Sequence, residues 1–228
     1  FQGEISGNGY GIYGLYFNSN PSSHSSGAYG TGLIPKVTDN SSVTIKNLGM
    51  ANVYLDHQYA TSAFVGAAGS GARVDIDSCY AGENVTLKGF AAGVFRGFAR
   101  LAAGGAVTNC YSLATTNGTN FNGLIGEVWD DGYEIIVSNC FNVKGGVSTH
   151  NHTSQINSFD NYVTDNTGLT EGTTLLEAEQ MQGIDAFENM PALNNNNKFV
   201  ITTKYPALKV FLSYIGEDDE ETDTIEIW

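Results

Sequence analysis

The sequence predicts an all-β protein: a right-handed parallel β-helix, or solenoid, of about five to six coils with a small α-containing C-terminal cap. A five-residue phrase (aliphatic, variable, small polar, Leu or Cys, usually aromatic) carries this reading. It recurs at Ile12 to Tyr16, Ile45 to Gly49, Ile76 to Tyr80, Val107 to Tyr111 and Val137 to Phe141. Its fourth positions, Leu15, Leu48, Cys79, Cys110 and Cys140, lie 33, 31, 31 and 30 residues apart. So steady a period marks a repeat architecture. A second phrase keeps phase with it: Ala63-Phe64-Val65-Gly66, Val94-Phe95-Arg96-Gly97 and Leu124-Ile125-Gly126 each end 13 or 14 residues before a cysteine.

The units are rich in Gly, Ser, Thr and Asn, and their apolar residues form short β-branched and aromatic runs. That is strand composition with turn punctuation. Strands repeating in one direction stack about 4.8 Å apart as parallel sheets, so equivalent residues form columns. Leu and Cys of the phrase would make an inward apolar column. Asn47, Ser78, Asn109 and Asn139 would make a polar column at the adjacent turn. A closed coil needs roughly 20 residues, so a surplus of about ten per unit is expected in surface loops, where function is placed.

In chain order, residues 1–19 read as the first coil and 20–32 as a polar surface loop holding His24. Residues 33–58 give the second coil, and three more follow to about 146. Loops are expected at Ala67 to Arg73, Gly97 to Gly105 and Trp129 to Tyr133, and a turn at Asn117-Gly118. Phe159 to Tyr162 fits a shorter sixth coil. Thr174 and Glu177 form a capping box for a helix over Leu175 to Gln182, stopped by Gly183. A second helical piece spans Asp185 to Met190, ended by Pro191. Asn194 to Asn197 reads as a loop, and Phe199 to Thr202 with Leu208 to Tyr214 as closing strands. These elements would cover the apolar end of the solenoid. The organisation is thus 1–165 β-helix, 166–214 cap and 215–228 acidic tail or linker. The tail "EDDEETD" reads as solvated, with a loose calcium contact as the alternative. Ile225 to Trp228 alternates like a final strand.

The phrases "GLIG" and "NCYS", the opening "FQGEISGNGYGIYGLYFN", and "TIKNLGMANVYL" together resemble the GLUG-type repeats of bacterial surface proteins. "TTLLEAEQMQ", "FENM" and "YPALKVF" resemble the segment that follows the last repeat. The resemblance covers most of residues 1 to about 212. It implies a β-helix in a secreted or wall-anchored bacterial protein, usually as a non-catalytic module. It carries no functional residues onto this chain.

Composition sets further bounds. Ten Lys and Arg against 24 Asp and Glu give a formal charge of −14, which argues against nucleic acid and anionic membrane surfaces. No apolar run is long enough to span a bilayer. The start at Phe1, inside a recognisable coil, suggests a processed piece of a longer secreted protein. Three cysteines in one register of the repeat read as free buried thiols. The sequons at Asn40, Asn84, Asn117 and Asn151 read as turn residues.

Candidate catalytic groups lie among the charged residues. An acidic-glycan lyase would need a basic cluster, and Arg73, Arg96 and Arg100 are the group that stacking can gather. A glycosidase would pair carboxylates from Asp75, Asp77, Glu127, Asp130, Asp131 and Glu134. His150 and His152 could share one strand face, but no third metal ligand is indicated. No catalytic, cofactor or metal residue is therefore assigned. The expected role is a non-catalytic extracellular structural or adhesive module that presents loops to a protein or glycan on a cell surface. The alternatives are a carbohydrate-active enzyme on the same scaffold and a filament subunit that self-associates through its ends.

Overall fold

The computed structural model describes residues 1–19, 30–99, 104–128, 134–148, 156–166 and 171–212. Expectations placed on His24, Arg100, Trp129 to Tyr133, His150, His152 and the acidic tail lie outside these residues. The chain is mostly β, with strand at 53% and helix at 9%. Three sheets are built wholly from parallel pairs, and the one antiparallel pair among the described residues joins Phe199–Val200 to Ala207–Leu208.

In the first sheet, Gly3–Ser6, Ser42–Lys46, Arg73–Asp77, Gly104–Thr108, Ile135–Ser138 and Ile156–Phe159 pair in sequence order. Ile5, Ile45, Ile76, Val107 and Val137 align side by side. Their β-branched side chains suit the pleat, and the last four are buried. The first copy of the main phrase therefore starts at Ile5, not Ile12. Gly11–Tyr13 instead pairs with Gly49–Ala51 in the second sheet, which removes Leu15 from the cysteine column. The first unit takes six steps from Ile5 to Gly11 where the second takes four from Ile45 to Gly49. Its extra residues form a turn at Asn8 and Gly9, both at positive φ.

A sharp corner follows each later strand of this sheet. Asn47, Ser78, Asn109, Asn139 and Asp160 all sit at φ of 52–53°. Left-handed backbone costs most L-residues about 1–2 kcal/mol, and Asn and Asp tolerate it best, which accounts for this polar column. The first four donate their backbone N–H groups to the next unit, at Asp77, Thr108, Ser138 and Phe159 O (3.0–3.1 Å).

The second sheet runs Gly11–Tyr13, Gly49–Ala51, Tyr80–Ala81, Tyr111–Ser112, Phe141–Asn142, Asn161–Val163 and Thr173–Leu175. Tyr80, Tyr111, Phe141 and Tyr162 align in it. The first three rings stack at 5.2 and 5.0 Å, within 8° of parallel. The Tyr80 ring lies over Gly49, where an added Cβ would come within 2.3 Å of it. The sixth unit is present as expected: Asn161 follows Cys140 in the inward column, accepting the Cys140 N–H and donating to Val137 O.

The C-terminal segment buries this aromatic ladder. Met181, Met190, Leu193, Phe199 and Leu208 pack with it, and Phe211 meets Tyr80 edge-on at 4.7 Å. It thus lies along the flank of the second sheet, where each aromatic covered is worth about 1.5–3 kcal/mol. Local elements differ from expectation. Thr173–Leu175 is a strand paired with Asn161–Val163, so the capping box shifts to Glu177 and Gln180 before a 3-10 turn at Ala178–Met181. Pro191 does not only end the helix Ala186–Asn189; it also opens a second, Pro191–Asn195, at a position where its missing N–H costs nothing.

The third sheet holds the surplus. Tyr16–Ser19, Val53–His57, Val85–Ala99 and Thr115–Val128 continue the main units, while Ile34–Val37 and Val65–Ala68 align with the second halves of the long strands. Gly30–Thr31 pairs with Ala60–Thr61, which in turn pairs with Ala91 and Ala92. Much of the described surplus is therefore paired strand, although a turn closes at Gly69 to Ala72 within the loop expected at Ala67 to Arg73, and Asn117-Gly118 lies inside a strand opposite Lys88-Gly89. Tertiary pairing overrides the local turn preference there. The closing glycines of the second phrase sit where backbones nearly touch. A Cβ at Gly97 would lie 2.7 Å from Gly66 O and 2.8 Å from Thr61 O. Ser62 Oγ donates to Val94 O and accepts the Phe64 and Val65 N–H groups, holding the bend.

Two predictions concern stability. Gly97→Ala should cost about 2 kcal/mol or more in urea unfolding, because backbone must move to admit the methyl. Gly82→Ala, whose Cβ would meet nothing closer than 3.5 Å, should stay within about 0.5 kcal/mol. Equal costs would refute the close-packing account.

Burial raises the pKa of Tyr111, with the nearby Tyr80 adding to the shift, and burial also raises Tyr80. A raised folded pKa gives stability that is complete below the unfolded value near 10 and is lost as pH rises beyond it. Tyr111→Phe should therefore lose less stability than wild type between about pH 9 and 11.5. Parallel losses in denaturant titrations would count against the buried ladder.

Candidate functional site

Polar side chains pair along the corner column and the outer face of the first sheet. Asp77 accepts hydrogen bonds from Ser78 Oγ (2.9 Å), Thr108 Oγ1 (2.8 Å) and Asn109 Nδ2 (2.6 Å). Lys198 Nζ, from the C-terminal segment, lies 3.8 Å from the same carboxylate and 3.4 Å from Ser78 Oγ. One unit further on, Asn196 Nδ2 donates to Asn109 Oδ1 at 3.2 Å. The C-terminal segment is thus tied to the column at Ser78 and Asn109.

At the next two positions, Asn139 and Asp160, the column borders an open groove of about 460 Å³. Tyr162, Pro191, Ala192, Asn195 and Asn196 complete its lining. Tyr162 Oη accepts the Ala192 N–H at 3.1 Å, docking the helix Pro191–Asn195 on the ladder. Burial raises the Tyr162 pKa; the Ala192 bond partly opposes this and the Asp160 charge reinforces it. Asn139 was expected in the column. Its meeting with the Asn194 to Asn197 run was not foreseen, because nothing local shows that Pro191 starts a helix against Tyr162.

A second face lies on the third sheet. Tyr16 stacks on Tyr54 at 5.4 Å, Lys88 Nζ sits 5.1 Å from the Tyr54 ring centroid, and Tyr54 Oη donates to Asp56. Desolvation lowers the His57 pKa, against the pull of Asp56. Glu127 is only 3% exposed and accepts from Tyr59 Oη at 3.0 Å, while Tyr59 stacks on Phe90 at 5.5 Å.

Among the described residues, the candidate catalytic side chains do not gather into one cluster. Arg73 is on the surface, bidentate to Asp75 at 2.7 and 2.9 Å. Arg96 points inward, in register with Val65 and Ile125, and is 0% exposed. Asp75 and Asp77 lie on the first sheet, Glu127 on the third, and Glu134 reaches Asn157 at 3.4 Å. Arg100, Asp130 and Asp131 lie outside the described residues. Cys79, Cys110 and Cys140 are buried and form no disulfide. Burial, reinforced by its two neighbours, pushes the Cys110 thiol well above its ordinary pKa, which suits a packing role more than a nucleophile. Among the described residues no group of three or more His, Cys, Asp or Glu is placed to hold a metal. None of the described helices is long and apolar enough to cross a membrane.

Arg96 breaks a column that is otherwise aliphatic. Its Nη1 donates to Gly104 O at 3.2 Å, while Nε and Nη2 have no hydrogen-bond partner among the described residues. Desolvation lowers its pKa to about 10, with Asp75 offsetting part of the effect. The group remains protonated at neutral pH, so its lowered value is a cost to folding there. Arg96→Met keeps bulk and removes the charge, and should be neutral or stabilising by up to about 3 kcal/mol in thermal or urea unfolding. A loss above about 2 kcal/mol would show that the cation is compensated inside the core.

No protein-family model, curated protein or solved structure matches this chain.

Proposed function

We propose that the chain is a right-handed parallel β-helix of the GLUG-repeat type. On this reading it is a non-catalytic, extracellular structural and adhesive module of a bacterial surface protein, in contact with protein or glycan on a cell. The observation that carries this reading is the disposition of the ionisable groups. Glu4 is paired with Lys46, Arg73 with Asp75, and Asp77 with Lys198. Arg96 and Glu127 are buried in different surroundings. Charges neutralised in place along stacked strands favour a rigid scaffold over an acid–base pair.

A second reading rests on the first strands of the three sheets. Among the described residues Gly3–Ser6 and Gly11–Tyr13 end their sheets, and Tyr16–Ser19 ends the main path of the third. Around them Phe1, Tyr10, Tyr13 and Tyr16 are 55, 57, 77 and 68% exposed. Open parallel edges ringed by aromatics are a template for another strand set, and that supports end-to-end self-association.

Light scattering with negative-stain microscopy, followed by incubation with a panel of polysaccharides, separates these readings. The module reading expects uniform single rods that retain cells or glycan beads and leave every polysaccharide intact. New reducing ends or unsaturated uronates would overturn it in favour of an enzyme. Filaments that grow with concentration and vanish in a Tyr13→Ser/Tyr16→Ser variant would establish assembly, and a strictly monomeric protein would end that second reading.

A further inference from the structure

We infer that the groove beside Asn139 and Asp160 is a binding site for a neutral saccharide, an inference that rests on the adhesive reading above. The corner column supplies its own internal comparison. At Ser78 and Asn109 the column's side chains are met by Lys198 and Asn196. At Asn139 and Asp160 the same left-handed corner recurs, at φ 53° in both, and the helix Pro191–Asn195 leaves a groove of about 460 Å³. The backbone thus holds two polar side chains at fixed positions without a protein partner: Asn139 and Asp160 make no side-chain hydrogen bond to a described residue, and neither does Asn195 across the groove.

The chemistry of the lining selects the ligand class. Asn139 and Asn195 each bring an amide oxygen and an amide NH2, which match the donor and acceptor faces of a sugar hydroxyl. Asp160 accepts only, which suits a pair of adjacent hydroxyls. Tyr162 Oη already accepts from Ala192 N–H, so its proton remains for a ligand oxygen. The exposed Pro191 ring provides apolar surface for the C–H side of a pyranose, while the Tyr162 ring, only 4% exposed, closes the floor of the groove. Charge decides between neutral and acidic sugars. The groove lining contains a carboxylate and no cation, and nearby Lys198 is held by Asp77 and Ser78. A uronate would meet repulsion from Asp160 with nothing to neutralise it.

The experiment uses the whole chain and arrayed neutral oligosaccharides built from glucose, galactose, mannose and N-acetylglucosamine, beside oligouronates. Binding to at least one neutral series, confirmed by calorimetry, and none to oligouronates is expected. Asn139→Gly, which keeps the left-handed corner unstrained, and the exposed Asn195→Ala should each weaken that binding at least tenfold with unchanged thermal midpoint. Tyr13→Ser, at the distant first strands, should leave it unchanged. Absence of neutral-sugar binding, or binding indifferent to both groove variants, overturns the inference. Adhesion that survives those variants would leave the module reading intact while removing the groove from it; glycan cleavage would instead overturn the module reading itself.

Discussion

Everything in this chain depends on one constraint: each unit's backbone finds its hydrogen-bond partners in the unit before and the unit after. Parallel pairing of this kind fixes register, because a one-residue slip would turn the buried Val and Ile of the first sheet outward. The corner residues show how tightly the register is held. Five of them, from Asn47 to Asp160, adopt nearly the same positive φ, and Asn47, Ser78, Asn109 and Asn139 send their N–H groups to equivalent carbonyls one unit on. Once the corner is repeated, the columns on either side follow from it. The cysteines fall inward after the corner, and the aromatic ladder falls outward one residue later.

The middle of the chain was legible because there the column constraint acts on side-chain identity. Ile45, Ile76, Val107 and Val137 can be read as one slot since only branched aliphatics fill it, and the corner slot admits little besides Asn, Ser and Asp. The first unit is harder to read for a physical reason. At the edge of the stack Ile12 and Leu15 are only partly buried, and the Asn8-Gly9 turn lengthens the unit, so a phrase of similar composition appeared one sheet out of place. The surplus strands of the third sheet read as loops in the sequence because a run of Gly, Ala, Ser and Thr resembles a turn. Their glycines instead answer to close backbone contact, a tertiary demand that local composition does not reveal.

The groove shows the same division. Asn139 was legible as a member of the polar column, and the helix opposite was not, because its position depends on Tyr162 Oη meeting the Ala192 N–H. Likewise Arg96 was recognisable as one period beyond Val65. Its inward direction follows from the register of Val65–Ala68 with the long strand beside it. A charge in that slot suggests chemistry from the sequence, whereas its burial makes it part of the core.

The two sides of the corner explain why the C-terminal segment lies where it does. A stack of Tyr80, Tyr111, Phe141 and Tyr162 is too apolar to leave in water, and a flank of Met, Leu and Phe supplies the cover. Once anchored on the ladder, that flank runs parallel to the polar column only a few ångströms away, and its own polar residues must meet it. Lys198 and Asn196 do so at Asp77 and Asn109. The Pro191–Asn195 helix is held instead by its first turn on Tyr162, which sets its standing distance from Asn139 and Asp160. The groove is therefore a consequence of two spacings that differ: an exact repeat in the column, and a single unrepeated helix laid across it.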